Sequence, residues 1–129
     1  ISTMQMKSLF GQGRVSSSGN LPENFLRVLE ETTGANGAMI VDLTSFRPYR
    51  PMSIGVRAKL IDLKSGEFIW AIDETFDAGH ASIQQSTAQF QERSQVRALS
   101  AKTNGSVLHS PRVFTKFVAS TLYSTLPYR

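Results

Sequence analysis

RPMSIGVRAKLIDLKSGEFIWAIDETF, residues 50–76, is the stretch that decides the architecture. Met52, Ile54, Val56, Ala58 and Leu60 alternate with Ser53, Gly55, Arg57 and Lys59. An apolar period of two over this length predicts a half-buried strand. A second strand follows, with Phe68, Trp70 and Ile72 on one face. Lys64, Ser65 and Gly66 join the two as a tight turn, in which glycine takes the positive φ that short hairpin loops require. The hairpin fixes the fold without offering chemistry, since none of its residues forms a recognisable catalytic pattern.

Upstream, AMIVDL (residues 38–43) predicts a short central strand, buried on both faces at Met39, Ile40 and Val41. TSFRPYRP (residues 44–51) reads as a connection, because Pro48 and Pro51 cannot donate to a ladder. Before it, Asn20 is placed to cap a helix, with Pro22 in the first turn and Glu23 at the capping-box position. Leu21, Phe25, Leu26 and Leu29 share one face, and Gly34 suits a left-handed C-cap. Glu30 and Glu31 oppose the helix dipole at that end, so packing must hold it. Residues 1–10 suggest a short helix capped by Ser2, with Met4, Leu9 and Phe10 as apolar contacts. GQGRVSSSG (residues 11–19) is a loop and lacks the lysine spacing of a phosphate loop.

Downstream, Asp77, Ala78 and Gly79 break the strand. Residues 81–99 read as weakly amphipathic helix, anchored by Ala88, Val96 and Leu99, and residues 102–109 as loop. Ser110 and Pro111 start a last helix, whose core face is Val113, Phe114, Phe117, Val118, Thr121 and Leu122. Leu126 and Pro127 end it. The order helix, helix, strand, hairpin, helix, helix predicts an α+β fold: a mostly antiparallel sheet built on the long hairpin, with helices mainly on one face.

The chain has 129 residues, suited to a single domain over residues 1–129, with 40% hydrophobic and 19% charged residues. It contains no cysteine, which removes disulfides, thiolate nucleophiles and cysteine-ligated metals. The net charge of +4 permits an acidic partner. No stretch approaches the roughly 20 apolar residues of a membrane helix, and Ile1 opens no signal-peptide pattern.

Several of these segments recur together in known proteins. They are an amphipathic helix (residues 25–29), then Gly37-Ala38-Met39-Ile40-Val41, then Leu60-Ile61-Asp62-Leu63-Lys64-Ser65-Gly66-Glu67, and finally Ile69-Trp70 opening the return strand. This succession, over residues 21–77, resembles the fold of the TolB amino-terminal domain, the curli-secretion lipoproteins and the lipoprotein activators of penicillin-binding proteins. The resemblance implies a bacterial envelope location, periplasmic or associated with the outer membrane. It also implies a role in assembly or scaffolding, without catalytic residues to carry over. That fold normally has a strand before its helix. None precedes Asn20, so its expected place is upstream of Ile1.

Arg47, Tyr49 and Arg50 flank prolines in a stretch expected to be exposed. Arginine and tyrosine are favoured interface anchors, and proline lowers the ordering cost of a presented loop. With Arg57 and Lys59 on the polar face of the next strand, they make one candidate basic surface for a protein partner or a second copy. The same residues would equally protect an exposed strand from unwanted pairing. Asp73, Glu74, Asp77 and His80 gather at a strand end, but alternation sends Asp73 and Glu74 to opposite faces, so they do not make a metal site. His109 and Ser110 form a nucleophile pair only on paper, since Ser110 has a capping role. No cofactor, metal, catalytic residue or small-molecule substrate is expected, and membrane contact only through an upstream anchor. A basic nucleic-acid-binding module and a small hydrolase with a histidine site are the alternatives; the first wants aromatics interleaved with basic residues, whereas the neighbours of Phe68 and Trp70 are aliphatic.

Overall fold

The computed structural model describes residues 1–97, 108 and 110–127. Its elements are α1 (Thr3–Phe10), α2 (Phe25–Thr33), β1 (Gly37–Arg47), β2 (Ser53–Asp62), β3 (Phe68–Asp77), α3 (Ala81–Arg97) and α4 (Pro111–Tyr123). The strands form one antiparallel sheet in the order β1-β2-β3, so β2 is central and β1 and β3 are edges. The fold is α+β and built on the hairpin, as the alternation predicts.

The hairpin turn is fixed by Asp62. Its Oδ1 accepts the N–H groups of Lys64 and Ser65, both at 2.9 Å. Gly66, at φ 73°, donates its N–H to the Asp62 carbonyl, and the Asp62 N–H reaches the Glu67 carbonyl, each at 2.9 Å. An acidic side chain bonding its own backbone two and three residues on is the local force that sets this turn.

Two compact units divide the chain, residues 1–42 with 57–73, and residues 43–56 with 74–129. In the first, Met6, Phe25, Leu29, Ile40, Ile61 and Leu63 form the core. The rings of Phe10 and Phe25 meet there at 4.9 Å. Ser2 caps α1 through a reciprocal box with Gln5, and Gly11 closes it in the left-handed conformation. In the second unit Met52, Ile54, Phe76, Phe114, Phe117, Val118 and Leu122 are buried. The Phe117 ring lies 6.4, 5.7 and 5.9 Å from those of Phe76, Phe90 and Phe114. Ser110 caps α4, accepting the Val113 N–H at 3.4 Å, and Pro111 occupies the first turn as expected.

Several expectations are corrected. In α1 it is Met6 that is buried, while Met4 and Leu9 are exposed; a helix this short buries one stripe, and Met6 and Phe10 share it. α2 starts at Phe25, not near Asn20. Asn24 is its N-cap at φ 56° and makes no side-chain cap bond, because a turn from the Pro22 carbonyl to the Phe25 N–H precedes the helix. Asparagine is among the few residues that accept that conformation.

β1 is neither short nor central. It runs to Arg47, and its Met39 and Val41 are 39% and 48% exposed. A continuous apolar run fits a central strand and an edge strand alike, and only pairing decides between them. Along β2 and the residues flanking it, Met52, Ile54, Val56 and Ala58 are buried as predicted, but Leu60 is half-buried and Ile61 and Leu63 are buried instead. Alternation turns Ile61 to the other face from Ala58, where Met6, Phe25 and Leu29 pack on it. On edge strand β3, Phe68 is exposed, and Trp70 and Ile72 are half-buried. Among the described side chains of α3 the buried one is Thr87, whose hydroxyl bonds the Gln84 carbonyl at 2.8 Å, whereas Ala88 is exposed. The side chain of Val96, all of Leu99 and the 102–109 loop apart from Leu108 lie outside the described residues.

Candidate interaction surface

The five basic and aromatic residues singled out from the sequence divide between the units. Arg47, Tyr49 and Arg50 belong to the second, Arg57 and Lys59 to the first. In the second unit, Arg47 is a brace. Its Nε donates to the Pro51 carbonyl at 2.8 Å, and a terminal nitrogen reaches Asp77 Oδ2 at 3.2 Å. Asp77 Oδ1 in turn accepts the Gly79 N–H at 2.8 Å, and the Ala78 N–H donates to the Met52 carbonyl. Arg47 thus ties the end of β1 to the loop and to the end of β3. Tyr49, 80% exposed, and the exposed Arg50 stand on that loop, before a cis Arg50–Pro51 bond.

In the first unit, Arg57 Nε donates to Asp73 Oδ2 at 2.8 Å across the hairpin. Lys59 Nζ lies 5.2 Å from the centre of the Phe68 ring, within cation–π range. Two of the five residues are therefore neutralised by carboxylates and a third rests on a ring.

The carboxylates of the suspected strand-end cluster are engaged likewise, Asp73 with Arg57 and Asp77 with Arg47, while Glu74 is exposed. The His80 backbone carbonyl accepts the Gln84 N–H at 3.0 Å and so helps to start α3. His109 lies outside the described residues, and Ser110 is a cap.

Two features were missed in the sequence. The first is Asp42 on β1. Its Oδ2 accepts the N–H and hydroxyl of Ser17 at 2.7 and 2.6 Å, and the Ser16 hydroxyl at 2.9 Å. The Ser17 hydroxyl, helped by its N–H, by Ser16 and by the nearby Arg57 charge, holds the Asp42 carboxyl below the usual carboxylate range against the opposing effect of burial. An acid inside the apolar run AMIVDL, facing a serine-rich loop, was the available signal.

The second is an open cavity of about 440 Å³ in the first unit. Met6, Phe25, Leu29 and Leu63 line it from the core, residues 37–41 from β1, and Gly13, Arg14 and Val15 from the loop after α1.

Among the described residues, no helix is long and apolar enough to cross a membrane. No protein family and no curated protein matches this sequence. Among solved structures, the chain is similar to the crystal structure of lipoprotein GNA1162 from Neisseria meningitidis, with a TM-score of 0.38 and 11% identity. That similarity covers 56% of this chain and 56% of the lipoprotein's, little more than half of each.

Proposed function

We propose that this chain is a non-catalytic interaction domain of a bacterial envelope assembly, which recruits a protein partner at the open edge of its sheet. The observation that carries this is β1, an edge strand of 11 residues with exposed Met39, Val41, Leu43 and Phe46. Edge strands are ordinarily blunted by shortness, lysine, proline or inward charge. Up to Phe46 the one charge on β1 is Asp42, and it is bonded to serines. Such an edge offers main-chain hydrogen bonds and alternate side-chain positions to an added strand. Tyr49 and Arg50 follow directly and supply residue types favoured at interfaces. The envelope setting is supported by the resemblance carried by residues 37–41, by the Asp62–Glu67 turn and by Ile69-Trp70.

The test is site-specific photo-crosslinking in a bacterial cell exporting the protein to its envelope, with the photoreactive residue at Val41 or Tyr49 and at exposed Glu92 as control. Discrete adducts from Val41 or Tyr49, absent from Glu92, are expected. Adducts from neither position would sink the reading.

A further inference from the structure

Residues 37–41 are consecutive, and all of them line the same cavity. Side chains on a strand alternate between faces, so the cavity meets the backbone of this run as well as its core-facing side chains. Gly13, Arg14 and Val15 also line it, from the loop bonded to β1 at Asp42, so the cavity reaches the edge of β1 that β2 leaves free. The Leu63 N–H bonds the Asn36 carbonyl at 2.9 Å, which turns Asn36 toward β2. Backbone groups alternate too, so Gly37, Met39 and Val41 direct theirs away from β2 and toward that edge. The cavity therefore combines apolar lining from the core with a row of main-chain donors and acceptors. Among the described residues, Arg14 is the one charged side chain lining it, and it makes no ion pair with any of them.

We propose that this cavity binds an extended apolar peptide segment bearing a carboxylate, added as a fourth strand beside β1 with the carboxylate on Arg14. The proposal rests on the interaction-domain reading above and names the partner's chemistry. A main chain can pair with Gly37, Met39 and Val41, whereas an acyl chain of similar bulk would leave those groups desolvated and unpaired. The volume lies within the roughly 300–1,000 Å³ of ordinary ligand pockets. A guanidinium holds a carboxylate through charge-assisted, often bidentate bonds. A second copy's β1 is a poorer occupant, because its carboxylate, Asp42, is already held by Ser16 and Ser17.

The experiment is fluorescence anisotropy on the whole chain, with a labelled peptide Lys-Thr-Val-Thr-Val-Thr-Val-Val as probe. It is run as the free acid, as the C-terminal amide and with alternate backbone nitrogens methylated. Saturable binding of the free acid is expected. Amidation or Arg14→Glu should weaken it about tenfold or more, Arg14→Lys should weaken it less, and methylation on the paired side should abolish it. Equal affinity for acid and amide, indifference to methylation, displacement of the peptide by sodium laurate at equal concentration, or no binding of the free acid would each overturn the proposal. If the peptide fails while crosslinks from Val41 or Tyr49 persist, the groove is rejected and the interaction domain stands. If both fail, both are rejected.

Discussion

Ser17 donates its backbone N–H and its hydroxyl to the same oxygen of Asp42, at 2.7 and 2.6 Å. Ser17 is 6% exposed, so this pair is a part-buried clasp that ties the loop between α1 and α2 to β1. The loop carries Gly13, Arg14 and Val15 of the cavity lining, which makes the clasp a determinant of that cavity's shape.

The clasp predicts a pH dependence. The Asp42 carboxyl is held below its ordinary value, so its folded pKa lies under its unfolded one. Its contribution is fully present above the unfolded pKa of about 3.9, and is lost as pH falls through the folded pKa. Asp42→Asn should cost about 1–2 kcal/mol at pH 7, toward the low end because the side chain keeps some water contact. The gap from wild type should shrink as pH drops below about 4. Urea unfolding across a pH series checks this, and a constant offset at every pH would contradict it.

A close approach predicts a second effect. Gly55 on β2 sits where an added Cβ would meet the hydroxyl oxygens of Ser45 and Thr44, each at 2.5 Å, and the Ser45 backbone nitrogen at 3.2 Å. Gly55→Ala should therefore destabilise by about 1–3 kcal/mol through overpacking. Adding Thr44→Ala and Ser45→Ala should recover part of the loss, because the hydroxyls are the nearest atoms and the backbone nitrogen remains. Thermal unfolding of the single and triple variants measures it; a fully neutral Gly55→Ala would mean that the strands separate there at no cost.

The Phe117 ring is the hub of the second unit's aromatic cluster, touching Phe76, Phe90 and Phe114. Phe117→Ala should cost about 3–5 kcal/mol. Phe90→Ala should cost less, since Phe90 is only half-buried. Chemical denaturation ranks the two, and the reverse order would remove Phe117 from the centre of that core.

How far the sequence discloses this molecule depends on whether a feature is local. The Lys64–Gly66 turn with its positive-φ glycine, the Ser110 cap and the burial alternation from Met52 to Ala58 are set within a few residues, and they stand in the structure as read. The edge position of β1 is not local. Met39, Ile40 and Val41 form a run that suits a buried strand, and only the order β1-β2-β3 exposes Met39 and Val41. The candidate surface suffered likewise. Arg47 and Arg57 read as free cations until Asp77 and Asp73, 30 and 16 residues away, are brought to them by strand pairing. The Asp42 clasp and the cavity at Arg14 depend on the loop after α1 folding back over 25 residues onto β1, which no local pattern announces.

This reassignment of Arg47 changes how the loop must be tested. Arg47→Glu would set a carboxylate beside Asp77 and remove the bond to the Pro51 carbonyl, so it should destabilise the fold. With the Arg47 side chain 50% exposed, solvent screening limits that cost to about 1 kcal/mol. Tyr49→Ala with Arg50→Glu touches neither contact and should leave stability within about 0.5 kcal/mol. It should nonetheless remove the complex crosslinked from Val41, because tyrosine and arginine carry a disproportionate share of interface energy. Melting curves and crosslink yields on both variants separate the two roles. If the Tyr49 and Arg50 substitutions leave the complex intact while Arg47→Glu abolishes it in step with its loss of stability, the loop serves the fold and the interaction lies elsewhere on the sheet edge.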